Sequence, residues 1–337
     1  MEAFQGIEQK IAEYVSRAPG VIALPDDAED SRMTGAVVEL LRRSLMETVI
    51  LFGSVRRGGG LWRLLQRYPS HVLLAEELCP DMSAQLAERL RLAAKYCEEQ
   101  IAGISCNPYW QAGWLLESGH CHSALAGLSV PTAEVIRAVL GTTGLADGIR
   151  TLSGSFLMVR EPELFVFADC GVVVRPDPEQ LVDIARESVR TFEMLNGEGK
   201  IPRVAFLSFS TKGSARHPEA LRMQEAARLF RKICPEICSD GELQFDAAYS
   251  WDVGKRKASG SAVAGRANVL IFPDLNAGNL AYKIAEKLGG FSAYGPILQG
   301  SRKVYSDLSR GASVRDVVVA SMLNALRSGL CSAEVAA

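Results

Sequence analysis

The sequence lacks any excess of positive charge. Its 37 lysines and arginines are balanced by 39 aspartates and glutamates, for a formal net charge of -2. Proteins that hold nucleic acid by bulk charge carry a basic surplus, and polybasic clusters are typical of proteins that bind anionic membranes. The composition therefore predicts neither a nucleic-acid partner nor a membrane partner.

Long apolar runs are missing as well. No stretch reaches the roughly 18–20 residues that a membrane-spanning helix needs. The opening sequence, MEAFQGIEQKIAEYV, alternates acids and bases along a helical pattern and does not have the basic-then-apolar order of a signal peptide. We therefore expect a cytoplasmic protein.

Arrangements that would hold a disulfide framework or a metal ion are also missing. The eight cysteines are scattered through 337 residues, which favours free thiols. Cys234 and Cys238 have loose spacing and no second pair. His120 and His122 would share one face of a strand, but zinc needs further ligands from elsewhere. We expect no metal site.

Familiar catalytic motifs are absent too. The run 58–60 is three glycines without the Lys-Ser/Thr of a phosphate-binding loop, and Gly-Glu-Gly at 197–199 lacks the third glycine of a dinucleotide site. No Gly-x-Ser-x-Gly motif occurs, and four histidines leave few candidate bases for a Ser-His-Asp triad. Both glycine runs are therefore expected to be ordinary loops.

What the sequence does contain is an alternation of short apolar strands and amphipathic helices. The predicted strands are 21–25, 48–52, 71–74, 154–159, 164–168, 203–208 and 268–272. The predicted helices are 34–45, 61–67, 83–97, 178–192, 216–233, 277–288 and 313–328. Helices of this length between strands imply crossover connections, so we expect an α/β fold with mainly parallel sheets. A domain boundary is expected near 140–149, where three glycines interrupt a helix.

Two blocks in the second half concentrate glycine and polar residues. The first is Phe-Pro-Asp-Leu-Asn-Ala-Gly-Asn at 272–279, which follows a predicted strand and opens a helix. Ligands bind at the carboxyl ends of parallel strands, and the amides at a helix start can approach an anion. The alternative is an ordinary turn in which Asn276 caps the helix.

The second block joins Gly-Pro-Ile-Leu-Gln-Gly at 295–300 to Asp-Leu-Ser-Arg-Gly at 307–311 and the helix that follows. A guanidinium beside a hydroxyl, just before a helix, suits a phosphoryl oxygen. Ser313 and Asp316 also fit a capping box, in which both residues serve only the helix start. The spacing alone leaves both interpretations open.

These motifs resemble the phosphate acetyltransferase (phosphotransacetylase) family, which includes the phosphate butyryltransferases. Besides the two blocks, the matching stretches are Phe-Ala-Asp-Cys at 167–170, Leu-Ser-Phe-Ser at 207–210, Asp-Gly-Glu-Leu-Gln-Phe-Asp-Ala-Ala at 240–248 and Ala-Gly-Arg-Ala-Asn-Val at 264–269. In the first half, Asp30-x-Arg32 and the segment 132–137 resemble family segments. Departures from the family pattern include Val130-Pro131, Lys95-Tyr96 and Val304.

The resemblance implies two α/β domains with a cleft between them, similar to the isocitrate and isopropylmalate dehydrogenases. The first domain would comprise 1–145 plus 297–337, and the second 146–296. Family members are commonly homodimers, so we expect a homodimer.

The resemblance also implies a reaction: acetyl-CoA plus phosphate gives acetyl phosphate plus CoA, reversibly. Asp316 would be the base for the CoA thiol, Arg310 would hold phosphate, and Ser309 would hydrogen-bond the phosphoryl or carbonyl oxygen. The substrate-binding candidates are Arg91, Arg137, Thr132, Asn276, Gly278 and Asn279. Coenzyme A, acetyl phosphate and inorganic phosphate would be substrates, with no metal or organic cofactor.

Three alternatives stay open at this point. The same chemistry on butyryl or propionyl groups differs only in pocket volume, which is worth about 1–3 kcal/mol per methylene. A catalytically silent acetyl-CoA-binding module is a second possibility, although it would have no need of a base. Cys170 would suit an acyl-accepting nucleophile, but its place after a strand-end aspartate favours packing.

Overall fold

The structure, a computed structural model, describes residues 6–195 and 200–329. The chain divides into two compact units. Unit 1 contains the described residues of Met1–Ala146 and Ser301–Ala337, and unit 2 is made of those in Asp147–Gly300. The resemblance implies domains at 1–145 plus 297–337 and at 146–296. That these are independent domains stays a prediction.

Unit 1 is an alternation of strands and helices. Its strands are β1 (Gly20–Leu24), β2 (Met46–Leu51), β3 (Val72–Leu74), β4 (Ser123–Ala126) and β11 (Tyr305–Asp307). Its helices are α1 (Gly6–Arg17), α2 (Ser31–Arg42), α3 (Gly60–Arg67), α4 (Ala75–Leu78), α5 (Met82–Ala93), α6 (Glu98–Ser105), α7 (Pro108–Glu117), α8 (Thr132–Thr142) and α14 (Val314–Arg327).

The described residues of unit 1 form a five-stranded sheet in the order β11-β4-β1-β2-β3, and every neighbouring pair is parallel. In the register, Ile22 lies opposite Val49 on one side and Ser123 on the other. Helices α2 and α14 pack against each other, as do α7 and α8. The sheet therefore ends at β11, and the chain leaves that edge strand directly towards α14.

Unit 2 holds the remaining elements. Its strands are β5 (Ser153–Arg160), β6 (Glu163–Ala168), β7 (Arg203–Leu207), β8 (Cys238–Leu243), β9 (Val269–Ile271) and β10 (Ser292–Gln299). Its helices are α9 (Pro178–Leu195), α10 (Pro218–Ile233), α11 (Phe245–Tyr249), α12 (Trp251–Lys257) and α13 (Leu275–Lys287).

The described residues of unit 2 form a six-stranded sheet in the order β10-β5-β6-β9-β7-β8. The pairs among β6, β9, β7 and β8 are parallel, whereas β10-β5 and β5-β6 are antiparallel. An aromatic core that includes Phe156, Phe165 and Phe167 packs under α13. The expected α/β class with mainly parallel sheets is confirmed, and the antiparallel pairs are confined to one edge.

Differences from the expected elements have local causes. Helix α5 ends at Ala93 and not at 97, because Ala94 adopts a left-handed conformation with φ 52°. Helix α13 begins two residues earlier than expected, at Leu275, because Asp274 caps it. Strands β4, β8, β10 and β11 were not expected, since their sequences are short, polar or glycine-containing and gain their stability from pairing with neighbours.

Some expectations fall outside the described residues, namely those for the segment 197–199, for residues 1–5 and for Cys331. Among the residues that are described, no helix combines the length and apolar character that a membrane crossing requires.

Candidate active site

Ser309 and Arg310 lie on a short connection that we call the 308–312 turn, between the end of β11 and the start of α14. Both residues are exposed, whereas the strand that precedes them is buried. The first residue of the turn is fixed to the sheet, because the Leu308 amide donates a hydrogen bond to the Ala126 carbonyl at 2.7 Å. The turn therefore presents a hydroxyl and a guanidinium at the carboxyl end of a parallel strand, where α/β proteins bind ligands.

Arg32 holds the other end of this turn. Its Nη1 donates hydrogen bonds to the carbonyls of Arg310 at 2.8 Å and Ala312 at 3.2 Å. The same guanidinium pairs with the Asp30 carboxylate at 2.7 Å and lowers the pKa of that carboxyl group. Since its contacts go to the scaffold, Arg32 fixes the backbone beneath the Arg310 side chain.

Asp26 holds the neighbouring loop, which follows β4. Its carboxylate, 1% exposed, accepts hydrogen bonds from the amides of Gly127 at 2.7 Å, Leu128 at 3.1 Å and Ser129 at 3.1 Å. It also accepts one from the Tyr109 hydroxyl at 3.1 Å. A buried carboxylate with this many donors is strongly satisfied, and it fixes the loop that leads into α8.

Asp316 takes part in the capping box that its spacing indicates. Its Oδ2 accepts hydrogen bonds from the Ser313 amide at 2.7 Å and from the Ser313 hydroxyl at 2.8 Å. The capping interpretation is thus confirmed for the structure as it stands. The carboxylate is also exposed, so capping leaves it accessible. Its role as a base stays a prediction.

Arg91 and Arg137 are not joined by hydrogen bonds to the 308–312 turn in the described part of the chain. Arg91, near the end of α5, pairs with Glu98 at 2.9 Å, and both side chains are exposed. Arg137, in the middle of α8, donates from Nε to the Ala133 carbonyl of its own helix at 3.2 Å. Their expected convergence on one anion stays a prediction.

Thr132 is bound to a buried acid. Its hydroxyl donates a hydrogen bond to Oδ2 of Asp307 at 2.5 Å. Asp307 is 2% exposed, and burial raises its pKa to about 7. Thr132 therefore connects α8 to β11, the strand that leads into the 308–312 turn.

The segment before α13 uses its polar side chains differently. Asp274, and not Asn276, caps the helix, because its Oδ1 accepts a hydrogen bond from the Ala277 amide at 3.0 Å. The expected alternative of an Asn276 cap is therefore wrong. Asn276 is exposed. The loop itself is held by Arg222, whose Nη1 donates to the Pro273 carbonyl at 3.0 Å.

Gly278 and Asn279 pack α13 against the end of β6. A Cβ at Gly278 would lie 2.1 Å from the Asp169 carbonyl oxygen, so this contact requires glycine. Asn279 Nδ2 donates a hydrogen bond to the Cys170 carbonyl at 3.2 Å. Both residues have a packing role here, and the substrate contact expected for them stays a prediction.

Cys170 is fully buried in the core of unit 2. Burial, assisted by the charge of Asp169, raises the pKa of its thiol well above the ordinary value. A protonated thiol without solvent access is a poor nucleophile. The geometry agrees with the packing interpretation.

The histidines that were weighed as metal ligands have other partners. His120 stacks on Trp114 with ring centroids 5.6 Å apart, and His122 Nδ1 accepts a hydrogen bond from the Val21 amide at 3.0 Å. Within the described ranges, no group of His, Cys, Asp and Glu side chains is arranged to hold a metal ion, and the cysteines there are free thiols.

The positions of Asp26, Arg32 and Asp307 in this site were not predicted from sequence. Arg32 and Asp307 lie in motifs that resemble those of the family, but these motifs do not indicate what either side chain contacts. The partners that matter for this site are far away in sequence: 278 positions separate Arg32 from Arg310, 101 separate Asp26 from Gly127 and 175 separate Thr132 from Asp307. Periodicity carries no information about such pairings.

Comparison with known proteins gives the same family as the motifs. The family model for phosphate acetyl/butaryl transferase matches residues 6–325. The chain is 38% identical over 316 residues to the phosphate acetyltransferase of Paracoccus denitrificans, covering 91% of this chain and 94% of that one. It is 40% identical over 248 residues to the enzyme of the same name from Bacillus subtilis, covering 74% and 75%.

The structural comparison agrees. A phosphotransacetylase crystal structure from Streptococcus pyogenes superimposes with a TM-score of 0.86 at 32% identity, covering 97% of this chain and 99% of that one. The family motifs lie mainly in the second half of the sequence, but the similarity to known family members extends along nearly the whole chain. The chain belongs to the phosphate acetyl/butaryl transferase family.

Proposed function

We propose that this chain is a phosphate acetyltransferase, which reversibly converts acetyl-CoA and inorganic phosphate into acetyl phosphate and CoA. One observation carries the proposal beyond family membership. The exposed Ser309 and Arg310 stand on a turn whose backbone is held by Leu308 at one end and by Arg32 at the other. A hydroxyl and a guanidinium that are preorganised in this way suit a phosphoryl group.

In the direction of acetyl-CoA synthesis, the CoA thiol attacks the acyl carbon of acetyl phosphate. The new C–S bond forms, the acyl C–O bond breaks, and phosphate leaves with the bonding electrons. A thiol with a pKa of about 8.5 is mostly protonated at neutral pH, so removing its proton assists the attack. Asp316 accepts this proton. Its exposed carboxylate keeps capacity for a proton beside the capping hydrogen bonds.

The leaving phosphate gains negative charge in this step, which favours cationic partners. Arg310 binds phosphate oxygens through its planar fork, and Ser309 donates a hydrogen bond to the phosphoryl or carbonyl oxygen. Arg91 and Arg137 contribute further positive charge. Because the ion pair of Arg91 with Glu98 is exposed, breaking it when an anion binds requires little free energy.

Further substrate contacts come from Thr132, Asn276, Gly278 and Asn279, as the family resemblance implies. Coenzyme A is a substrate in this scheme. Direct transfer forms no covalent bond to the protein and calls for no metal or organic cofactor. The protein acts as a cytoplasmic homodimer without nucleic-acid or membrane partners.

A thioester-formation assay tests the proposal. Purified protein is mixed with acetyl phosphate and CoA, and the ultraviolet absorbance of the thioester is followed with and without a chelator. We expect turnover in both conditions. Butyryl and propionyl phosphates, tested in parallel, report acyl preference. CoA binding without turnover on any of the three acyl phosphates would contradict the proposal and support a silent binding module.

A further inference from the structure

Asp307 is the final residue of β11 and stands two positions before Ser309. Its carboxyl group is almost wholly buried, with 2% of the residue exposed. Oδ2 accepts the hydrogen bond from Thr132, the first residue of α8, although 175 positions separate the two residues. A single carboxyl group thus joins the strand that leads into the 308–312 turn to the start of a helix.

The carboxyl group is also confined by backbone. Ala126 pairs with Asp307 in the sheet, and Gly127 follows with φ +118°. A Cβ at Gly127 would lie 2.5 Å from Asp307 Oδ1 and 2.6 Å from the Leu308 carbonyl oxygen. The loop backbone after β4 therefore lies directly against the acid, and this close approach requires glycine at position 127.

This arrangement is costly for the fold. Within the described residues, Oδ1 of Asp307 is buried and has no hydrogen-bond partner. Burial, with a smaller contribution from the nearby charge of Asp26, raises the pKa of the group to about 7. An apolar residue would fill an edge strand at lower cost, since burying a polar group without full compensation is unfavourable. Unlike an apolar residue, the acid makes a directional hydrogen bond with Thr132.

We propose that Asp307, acting through Thr132, is a positioning residue for acyl transfer, which sets the direction in which the chain leaves β11 and hence where Ser309 and Arg310 present their side chains. The inference rests on the proposed function. It gives Thr132 a contact with the scaffold in addition to the substrate contact that the family resemblance implies. A displacement of about 1 Å at a reacting group can cost roughly a hundredfold in rate, so a small relaxation of the turn is measurable.

Two pairs of variants test the contact. Thr132→Val and Asp307→Ala remove the hydrogen bond, and we expect kcat to fall about tenfold or more while the KM for CoA stays within about twofold. Thr132→Ser and Asp307→Asn keep a hydroxyl and an acceptor, and should stay within about threefold of wild type. The double variant Thr132→Val/Asp307→Ala should be no slower than the slower single variant, because one contact is lost in all three.

Thr143→Val is the matched control. Thr143 is buried directly after α8, and its hydroxyl donates a hydrogen bond to the Val139 carbonyl of that helix at 3.1 Å. We expect its kcat to be unchanged. Equal losses in Thr143→Val and Thr132→Val, or a Thr132→Val variant that melts earlier but keeps its kcat, would overturn the proposal in favour of a purely structural contact.

Hydrogen–deuterium exchange separates this inference from the proposed function. Peptides covering 308–313 should exchange faster in Thr132→Val than in wild type or Thr143→Val. If wild-type protein shows no acyl transfer, the proposed function fails, and faster exchange still supports control of the turn by Asp307. Unchanged exchange in Thr132→Val overturns that control whatever the activity.

Discussion

The molecule contains two strand-to-helix segments of similar composition that use their side chains in opposite ways. In the 308–312 turn, buried or half-buried groups hold the backbone and leave Ser309 and Arg310 exposed. At the start of α13, Asp274 caps the helix and Gly278 allows close packing against the Asp169 carbonyl. A block of glycine and polar residues before a helix is therefore not sufficient to identify a site. The two segments differ in how their side chains are used: Asp274 and Gly278 serve the helix start and its packing, whereas Ser309 and Arg310 keep exposed side chains. The Ser309 hydroxyl also accepts a hydrogen bond from the nearby Gly311 amide at 3.3 Å.

The largest expected effect separates the two roles of Asp316. Asp316→Asn keeps an oxygen that accepts the hydrogen bond from the Ser313 amide, so the cap is partly preserved. The amide accepts no proton from a thiol, so we expect kcat to fall by about 10²–10⁴ with CoA binding retained. Steady-state kinetics and a melting curve check this.

The pH profile adds a second test of Asp316. A working carboxylate gives the rate an acidic limb, which the asparagine variant should lack. A kcat within about threefold of wild type would leave Asp316 with its capping role alone. If Asp316→Asn unfolds, Asp316→Glu retains the charge and takes its place.

The next largest effect is on the α13 side of the comparison. Gly278→Ala places a methyl group 2.1 Å from a backbone carbonyl, which cannot be relieved by a side-chain rotation. We expect a loss of about 3 kcal/mol or more, the upper part of the range for overpacking. Gly311→Ala is the control, because its nearest neighbour would be the Ser309 hydroxyl at 3.8 Å. Urea unfolding that shows equal stability for the two variants would contradict the packing role.

Buried acids at the two strand ends also differ. Asp169 accepts hydrogen bonds from the amides of Gly154 and Gly171 at 2.9 Å each and of Val172 at 3.2 Å. For Asp307 the stabilising contacts are the hydrogen bond from Thr132 and a smaller contribution from the Leu308 amide. Burial raises the pKa of Asp169, and it raises that of Asp307 to about 7. Asp307 is thus the acid whose ionisation the scaffold compensates less.

This difference predicts the pH dependence of stability. An unfolded aspartate loses its proton near pH 3.9, but folded Asp307 keeps its proton to about pH 7. Between these values the folded state binds more protons, so the contribution of Asp307 to stability falls as pH rises and levels off above pH 7. Asp307→Asn should therefore gain up to a few kcal/mol relative to wild type between pH 4 and pH 7. A constant difference across that window, measured by urea unfolding, would refute the raised pKa.

Arg310→Lys tests the exposed side of the comparison. Lysine keeps the charge but loses the planar fork that binds two oxygens at once. We expect a higher KM for phosphate and a rate loss of roughly tenfold or more. Arg228→Lys, on an exposed i,i+3 ion pair with Glu225, is the control and should leave kinetics unchanged. Wild-type kinetics for Arg310→Lys would remove it from the phosphate site.

The sequence predicts the elements that carry their own periodicity, and it misses those that depend on partners. Helix α14 and the capping box at its start agree with the Ser313 and Asp316 spacing, which the sequence alone left open to a second interpretation. Strand β11 has only three residues, Tyr-Ser-Asp, and exists because it pairs with β4. The candidate residues on the 308–312 turn were found from motifs, but the groups that hold it, Arg32 and Asp307, act across distances that a sequence pattern does not encode.

The smallest expected effect is at the start of α13, where Asp274 and Asn276 stand two positions apart and differ in their contacts. Asp274 accepts the hydrogen bond from the Ala277 amide, so Asp274→Ala should cost about 1 kcal/mol. Asn276 is exposed and does not cap the helix, so Asn276→Ala should change stability by less than about 0.5 kcal/mol. Because Asn276 does not cap the helix, a change in the kinetics of Asn276→Ala reports on substrate binding and not on stability. A raised KM for CoA or acetyl phosphate at unchanged stability would support the proposed contact, whereas unchanged kinetics would remove Asn276 from the site and leave this segment as packing alone.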